Sequence, residues 1–490
     1  IRVVAGYMEG VRDAEKLRAA AEIAQAAGKP LVILKAGRNA ESAAAAASHT
    51  GALAGAYACH QAAFRQWGIL EADNSDELFD IVEAFALTTK RLRGRRIGIL
   101  TNSGGIGVLC ADQLGANGLE VPAFESATEE ALAADMQSFV SPRNPVDVAL
   151  QALDDPDCIA RHAARIARDN NIDAVLCFPG VIRRHVSEIA DAIAGVAAES
   201  EKPVLAGWLG GEGEGVAQLH RAGVAVYPEP ARAARVLRAM LQFSEFRPTA
   251  MPATLPDMAS AVQAASAFVA SGALAESDSR TILSAAGIEN VKGGLARNVE
   301  EALSIAGEIG YPVVLKIDSA DIAHKSEIGG VVLGLTSDAE LRQAFGDILE
   351  RTAAEAPGAK ISGIGVYEMV RGAVELIAGI RRDPIFGPVV LLGMGGVFAE
   401  ILDDNVLRVM PMGAGEADAM VRQLRGFAIL DGARGRPVAD IGALAAVLER
   451  LAALALTCPE IEEIDINPLM LLPHGEGARA ADALVVLRGE

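Results

Sequence analysis

The alternation of short apolar runs with alanine-rich segments most limits how the first 245 residues of this chain can fold. Strand-like runs at Val3–Tyr7, Pro30–Lys35 and Ile97–Leu100 are each followed by a loop and then a helical segment, the last helix starting at Val108. Such repeats are typical of parallel sheets covered by helices. Ligands in these folds bind at the carboxyl ends of the strands. We therefore expect α/β domains with sites at that edge.

A proline-rich stretch, Arg247–Pro256, separates this half from a different pattern and is predicted to be a linker. Beyond it, helices alternate with strands, and Gly363–Met369 and Val374–Ile380 are predicted to form an antiparallel pair. We expect an α/β domain at residues 1–90 that is incomplete at its N-terminal side, a second at 91–246, and an α+β domain at 257–490.

Charge and cysteine usage narrow the classes of partner. The chain has 64 acidic and 44 basic residues and a formal charge of −20, which argues against nucleic acid and anionic membranes. No apolar run reaches the roughly 18 residues needed to span a bilayer, and no secretory signal opens the sequence. The five scattered cysteines form no Cys-x-x-Cys pair, which is typical of reduced thiols. We expect a cytoplasmic protein with no nucleic-acid or membrane partner.

His49 is the first candidate for a chemical role. It lies in a stretch of small residues, between the alanines of Ala43–Ala47 and the glycines Gly51 and Gly55. A large ligand can approach a histidine in such surroundings, and a neutral imidazole can carry a phosphoryl group. The alternative is a histidine that merely fills or caps a loop.

Two other regions contain residues suited to phosphate chemistry. In Thr101–Gly107 a strand runs through a glycine turn into a helix, whose free N–H groups can bind an anion. Lys316 ends an apolar strand and precedes the glycine pair 329–330, while Asn467 and Asp482 offer the oxygen ligands that Mg²⁺ prefers. No Gly-x-x-x-x-Gly-Lys-[Ser/Thr] motif occurs, so a P-loop is excluded. Each feature also has a plain structural explanation, such as a tight turn or a lysine reaching solvent.

Several segments together resemble one enzyme family from end to end and in order. They are Tyr7–Gly10, Ala47–Gly51, Thr101–Gly107, Leu315–Ile317, His324–Val331, Glu375–Gly379, Arg382–Pro384, Phe386–Pro388 and Ile464–Leu469. In this order they resemble the ADP-forming (NDP-forming) acyl-CoA synthetases of the succinyl-CoA synthetase superfamily.

The resemblance implies a fold and a reaction. The fold is an α/β multidomain chain, with two flavodoxin-like CoA-ligase domains built on parallel sheets and then an α+β ATP-grasp domain. The reaction joins a small carboxylic acid to CoA with conversion of ATP to ADP and phosphate, through an acyl phosphate and a phosphohistidine. ATP/ADP, Mg²⁺ and coenzyme A as substrate are implied, as is a homodimer or a higher oligomer.

The resemblance also implies roles for individual residues. The catalytic group comprises His49 as the phosphorylated residue, Glu9 as the carboxylate that orients it, and His324, which either relays phosphate or only supports the nucleotide loop. The phosphate-binding turn comprises Ser103, Gly104, Gly105 and Gly107. The expected ATP-binding residues are Lys316, Lys325, Gly329, Gly330, Glu368, Met369 and Glu375. The expected metal ligands are Asn467 and Asp482.

This sequence departs from the family pattern at its N-terminal side. The N-terminal Rossmann CoA-binding domain and the Ser-x-Ser-Gly turn that usually precede the first ligase domain are absent from this sequence.

Two other functions remain as alternatives. One alternative is the ligase-like regulatory scaffold of a protein lysine acetyltransferase, and another is a non-catalytic nucleotide-binding module. The sequence does not indicate which acid is used.

Overall fold

The chain divides into two compact units. The computed structural model describes residues 1–39, 42, 57–137, 140–149, 151–180, 184–210, 213–268, 272–322, 325–396 and 404–488. One unit comprises Ile1–Ala54 and Phe64–Pro248, and the other comprises Gly55–Ala63 and Thr249–Glu490. None of the helices in the described ranges combines the length and the apolar character that crossing a bilayer requires.

The first sheet is parallel and small. It contains β1 (Val4–Met8), β2 (Leu31–Lys35) and β3 (Leu70–Ala72) in that spatial order. The neighbouring helices are α1 (Ala14–Ala26), α2 (Tyr57–Trp67) and α3 (Ser75–Leu87). The N-cap side chains of α1 and α3, Asp13 and Asn74, each accept a hydrogen bond from a backbone N–H of the first turn, which explains where these helices begin.

The second sheet has five parallel strands in the order β5-β4-β6-β7-β8. The strands are β4 (Ile97–Thr101), β5 (Val146–Asp147), β6 (Ala174–Phe178), β7 (Val204–Gly207) and β8 (Val226–Tyr227). The helices are α4 (Gly104–Ala116), α5 (Ser126–Ala133), α6 (Gln151–Asp154), α7 (Asp157–Arg168), α8 (Val186–Glu199), α9 (Glu214–Arg221) and α10 (Pro230–Glu245). Every residue of β4, β6 and β7 is buried, as expected of parallel strands covered on both faces. The predicted parallel α/β architecture is confirmed for this half of the chain.

The second unit is built on two largely antiparallel sheets. Four strands form the order β10-β13-β11-β12, and six form the order β16-β15-β14-β17-β19-β9, with β18 paired to β17. The strands are β9 (Gly272–Ala273), β10 (Gly293–Ala296), β11 (Val313–Asp318), β12 (Val331–Leu335), β13 (Gly363–Glu368), β14 (Val374–Asp383), β15 (Gly387–Met394), β16 (Asn405–Val409), β17 (Ile461–Leu471), β18 (Ala478–Ala480) and β19 (Ala483–Leu487). The helices are α11 (Ala259–Ser266), α12 (Glu276–Ala285), α13 (Val299–Ile309), α14 (Asp338–Glu355), α15 (Glu416–Gln423), α16 (Phe427–Leu430) and α17 (Ile441–Thr457), with a 3₁₀ turn at Ala433–Gly435.

Two local predictions were wrong. Helix α4 begins at Gly104 rather than Val108, because the glycines of the turn already form its first helical turn after the N-cap Ser103. The strands β13 and β14 are not a hairpin, since β13 pairs with β10 and β11 whereas β14 pairs with β15 and β17. Strand pairing is decided by long-range packing, which the local pattern of β13 and β14 does not record.

A buried histidine in the first unit lies among opposite charges. His162 on α7 has no exposed surface, and Arg165 Nη1 lies 3.2 Å from its Nδ1. Because arginine can only donate, Nδ1 must accept and the proton of the neutral ring lies on Nε2. Within the described residues Nε2 has no hydrogen-bond partner. Burial lowers the pKa of His162 to about 4, although Asp135 opposes that effect.

This pKa predicts acid sensitivity of the first unit. Its folded-state value lies below the roughly 6.5 of an unfolded histidine, so protonation favours unfolding. The contribution is fully present above about pH 6.5, and roughly 3 kcal/mol of unfolding free energy is lost as the pH falls from about 6.5 to 4 and below. His162→Leu should remove that loss. The measurement is urea unfolding followed by fluorescence, since both tryptophans, Trp67 and Trp208, lie in this unit. Parallel pH profiles of the two proteins would contradict the prediction.

Candidate active site

A cavity of about 560 Å³ lies in the second unit and is lined by residues from both of its sheets. Its lining residues are Ala273, Leu274, Glu276, Ser319, Ala320, Ile322, Lys325, Ser326, Glu327, Val331, Glu463, Asp465, Asn467, Asp482, Ala483 and Leu484. Carboxylates are the commonest polar groups in this lining. A cavity of this size can hold a ligand of nucleotide size.

Two lysines and two carboxylates form a buried cluster at the cavity wall. Lys316 Nζ, on β11, donates to Asp482 Oδ2 at 2.8 Å and to the carbonyl oxygen of Ala481 at 2.7 Å. It also lies 3.4 Å from Glu276 Oε1. Lys325 Nζ lies 2.5 Å from Glu276 Oε2 and 3.4 Å from Asp482 Oδ1. Each lysine therefore contacts one oxygen of each carboxylate.

The cluster favours the charged forms of Lys325 and Asp482, whereas burial raises the pKa of Glu276. Burial alone would lower the pKa of Lys325, but Glu276 and Asp482 outweigh burial and raise that pKa. Burial alone would raise the pKa of Asp482, but Lys316 and Lys325 outweigh it and lower that pKa. Removing one member would leave the other three with an unbalanced buried charge, which is destabilising. Two ammonium groups are therefore held at the wall of a cavity in an otherwise acidic protein.

Neighbouring groups fix the positions of these side chains. Asp318, at the end of β11, accepts hydrogen bonds from Ser277 N at 3.2 Å and Ser277 Oγ at 2.7 Å, which ties the first turn of α12 to the strand that carries Lys316. The guanidinium carbon of Arg280 lies 4.1 Å from the ring centroid of the buried Tyr367. Such stacking restricts the arginine while leaving its charge in place.

Oxygen ligands for a divalent cation lie on β17, which also contributes to the cavity lining. Glu463, Asp465 and Asn467 alternate along β17 and all line the cavity, whereas Ile464 and Ile466 between them are buried in the core. Burial, with added contributions from the charges of Glu463 and Asp482, raises the pKa of Asp465 to about 6.

These oxygen donors fit Mg²⁺. The described residues contain no group of three or more His, Cys, Asp or Glu side chains arranged as a metal site. Mg²⁺ does not require such a group, because it commonly uses one or two carboxylates, water and substrate phosphates. Asn467 and Asp482 meet that requirement.

The loop that carries Lys325 is held against β11 by backbone contacts. Gly330 N donates to the carbonyl oxygen of Lys325 at 2.8 Å, and Ile317 N donates to the carbonyl oxygen of Gly330 at 2.8 Å. Gly329 has a φ of +68°, a conformation that favours glycine. A Cβ on Gly330 would lie 2.6 Å from Ile317 Cγ2 and 2.9 Å from the carbonyl oxygen of Lys325. The close packing of this loop therefore requires glycine at position 330.

Gly330→Ala is expected to destabilise this loop by about 2 kcal/mol, because the added methyl group has no space. Hydrogen exchange in peptides covering residues 313–335 should become faster, and nucleotide binding should weaken as Lys325 moves. The control is Gly346→Ala on α14, where an added Cβ has no neighbour within 4 Å and alanine favours the helix. Equal exchange rates in the Gly330 variant and the unaltered chain would contradict the expectation.

The structure brings some of the predicted residues together and leaves others apart. Lys325, Asn467 and Asp482 line the cavity, and Lys316 contacts Asp482. Glu368, Met369 and Glu375 are not among the lining residues. The carboxylate of Glu368 accepts from the backbone N of Lys292 at 2.9 Å and lies 3.3 Å from Arg479 Nη1. Gly395 N donates to the carbonyl oxygen of Glu375, and Met369 N to that of Pro312. His324 lies outside the described residues.

Glu9 lies just past the carboxyl end of β1 in the first unit. Tyr7 Oη lies 3.3 Å from Glu9 Oε1, and the ammonium of the buried Lys35 donates to the carbonyl oxygens of Glu9, at 3.0 Å, and Ala36. Burial lowers the pKa of Lys35. Arg38 continues these contacts, donating to the carbonyl oxygens of Lys35 and Ala72. The carboxyl ends of all three strands are thus tied together. His49 lies outside the described residues.

The predicted phosphate-binding turn is the N-terminus of α4. Ser103 is the N-cap and makes no side-chain capping bond, while Gly104 and Gly105 are exposed in the first turn. Gly107 is buried, and a Cβ there would lie 3.1 Å from Pro145 Cβ, a tight contact that favours glycine. This helix end can offer N–H groups to an anion.

Sequence reasoning missed Glu276, Asp465 and Lys35. The alternation of Glu463, Asp465 and Asn467 was a usable signal, because period-two polar residues in an otherwise apolar strand mark one face. Glu276 gave no such signal, since an acidic residue in the first turn of a helix is common and favourable wherever the helix lies. Lys35 is the last residue of an apolar strand, and Lys316 lies near the end of another. The argument that made Lys316 a candidate site residue therefore applies to Lys35 as well.

Parallel α/β sheets followed by two antiparallel sheets, with a cavity that has a lysine and several carboxylates in its wall, define an α/β multidomain protein whose second unit can bind a nucleotide. Two family matches agree with this description. Residues 1–85 match the succinyl-CoA ligase like flavodoxin domain, and residues 267–487 match the ATP-grasp domain. The predicted ATP-grasp fold of the second unit is thereby confirmed.

Similar proteins extend the match to nearly the whole chain. Acetate–CoA ligase (ADP-forming) I of Archaeoglobus fulgidus is 37% identical over 96% of this chain and 68% of that protein. 4-Hydroxybutyrate–CoA ligase (ADP-forming) of Nitrosopumilus maritimus is 32% identical over 99% of this chain and 70% of that protein. The beta subunit of acetate–CoA ligase (ADP-forming) I of Pyrococcus furiosus is 43% identical over 44% of this chain and 91% of the subunit. The chain belongs to the family of ADP-forming acyl-CoA ligases.

Proposed function

We propose that this protein joins a carboxylic acid to coenzyme A at the expense of ATP, releasing ADP and phosphate. The observation that carries the proposal is the lysine and carboxylate cluster at the 560 Å³ cavity of the ATP-grasp domain. It supplies cations for phosphates and oxygen ligands for Mg²⁺ within one cavity. The relatives act on different acids, so the identity of the acid stays open.

The nucleotide half of the reaction would use the residues of this cavity. Lys316 and Lys325 would bind the phosphates of ATP, and Asn467 and Asp482 would hold Mg²⁺. Bound Mg²⁺ would neutralise charge on the phosphates during transfer. His324 would either relay the phosphoryl group or support the nucleotide loop.

The acyl half would depend on His49. Its ring nitrogen attacks the γ-phosphorus of ATP, and the bond to ADP breaks. The acid's carboxylate then takes the phosphoryl group from His49, and the CoA thiol attacks the acyl phosphate and releases phosphate. Glu9 would bind the other ring nitrogen and stabilise the imidazolium, and the N-terminus of α4, from Ser103 to Gly107, would bind the phosphoryl group.

Assembly and location belong to the same proposal. A homodimer or a higher oligomer is expected from the resemblance to the family. Size-exclusion chromatography with light scattering would measure it. A cytoplasmic location is supported by five cysteines that are all free and buried.

Exchange of label between ADP and ATP is the test that isolates the first step. Phosphorylation of His49 by ATP is reversible, so labelled ADP should enter the ATP pool with Mg²⁺ present and with acid and CoA absent. Adding CoA and a series of acids should then produce acyl-CoA with the acid that fits. Nucleotide binding without any exchange would favour the non-catalytic nucleotide-binding module instead.

A further inference from the structure

Among the two lysines and two carboxylates of the buried cluster, Glu276 has the least exposed side chain. We propose that it is a positioning residue, which keeps Lys316 and Lys325 in place when Asp482 leaves them to bind Mg²⁺. The inference rests on the proposed nucleotide site and adds a residue to it. The inference also implies that bound Mg²⁺ raises the affinity of the site for the nucleotide, and that bound nucleotide raises its affinity for Mg²⁺.

The distances show why a second carboxylate is needed. Asp482 has both oxygens against lysines, Oδ2 at 2.8 Å from Lys316 and Oδ1 at 3.4 Å from Lys325. To bind a cation, Asp482 must weaken these contacts. The two ammonium groups would then lose a counter-ion inside the protein, where unpaired charge is costly. Glu276 contacts the same two lysines, so they keep a partner during this exchange.

Glu276 and Asp482 differ in how firmly they are held. The Glu276 side chain is 2% exposed, whereas that of Asp482 is 29% exposed at the cavity. Glu276 is in the first turn of α12, where Ser277 is bound by Asp318 and Ser279 Oγ accepts from Val485 N at 3.0 Å. That turn is therefore anchored to β11 and to β19. Glu276 stays with the lysines, and Asp482 is the carboxylate that can turn toward a ligand.

The inference predicts that removing the charge of Glu276 has opposite effects on the binding of a nucleotide without Mg²⁺ and on the binding of its magnesium complex. Removing the charge of Glu276 makes the site more positive, which favours a nucleotide without Mg²⁺. Among the described residues it also leaves Asp482 as the only carboxylate in contact with both lysines, so Asp482 is less available to Mg²⁺. A mere loss of packing would instead weaken the binding of both ligands.

The experiment compares Glu276→Gln with the unaltered full chain by calorimetry, using the ATP analogue with a nitrogen between its β- and γ-phosphorus atoms. In EDTA the variant should bind the analogue about three- to tenfold more tightly, and with Mg²⁺ about three- to tenfold more weakly. Glu300→Gln is the control, because Glu300 is also in the first turn of a helix, α13, but is exposed and paired with Arg342. It should change neither dissociation constant more than twofold.

A second variant alters the position of Glu276 without changing its charge. It also keeps the inference testable if Glu276→Gln fails to fold. Ser277→Ala removes the 2.7 Å bond to Asp318 and leaves the charge of the site unchanged. It should weaken binding of the magnesium complex about threefold and leave binding without Mg²⁺ unaltered. The inference is overturned if the two dissociation constants of Glu276→Gln move together or stay within twofold. Failure of the unaltered chain to bind the analogue would overturn the proposed function as well.

Discussion

Replacing His49 by asparagine is expected to abolish phosphorylation at residue 49 and, where His324 does not relay phosphate, ADP–ATP exchange as well, with a loss of at least about 10⁴-fold. Asparagine approximates the size of histidine but has no ring nitrogen with a free electron pair. The measurement is acid-labile, base-stable label after incubation with γ-labelled ATP and Mg²⁺. Nucleotide binding at the cavity should be unchanged, since the substitution removes only the phosphoryl acceptor.

A control and a third variant make this experiment decisive. His474→Asn alters an exposed histidine and should leave labelling unchanged. His324→Ala separates the two roles considered for that residue. If His324 relays phosphate, this variant loses the label on His49, and the His49 variant retains label on His324. Full labelling of the His49 variant at any other site would contradict the proposed mechanism.

Lys316→Met is expected to slow phosphorylation by at least about 100-fold, because it removes a preorganised cation from the phosphate site. It should also lower the unfolding free energy by about 3 kcal/mol, since Glu276 and Asp482 would then share only Lys325. Rates of labelling and hydrogen exchange of β11 measure the two effects. Lys360→Met, at an exposed lysine, is the control.

A double variant distinguishes a lost phosphate site from lost folding. Lys316→Met with Glu276→Gln removes one charge of each sign, so the charge balance of the cluster is restored. Stability should recover in part, whereas phosphorylation should stay low. Labelling within fivefold of the unaltered chain in either variant would refute a phosphate-binding role for Lys316.

The elements of the fold were largely readable from the sequence. The strands predicted at Val3–Tyr7, Pro30–Lys35 and Ile97–Leu100 are observed at Val4–Met8, Leu31–Lys35 and Ile97–Thr101. Their signals are local, since each consists of a short apolar run ended by turn residues. Helix α4 begins four residues before its predicted start, because the glycines of the predicted turn adopt helical backbone angles.

The candidate site was readable only in part. Lys316, Asn467 and Asp482 were selected because their chemistry suits phosphate and Mg²⁺, and the structure gathers them at one cavity. Glu276 was not selected, because what distinguishes it is its contact with two lysines that are 40 and 49 residues away in sequence. No local pattern carries such a contact.

The sequence by itself determined the α/β and α+β classes of the two halves, the family, and the residue types available for phosphoryl transfer. The tertiary structure alone decided that β13 and β14 belong to different sheets and that four charged side chains share one buried cluster. The reason is physical. Helix and strand propensities act over a few residues, whereas strand partners and buried ion pairs are chosen by long-range packing and desolvation.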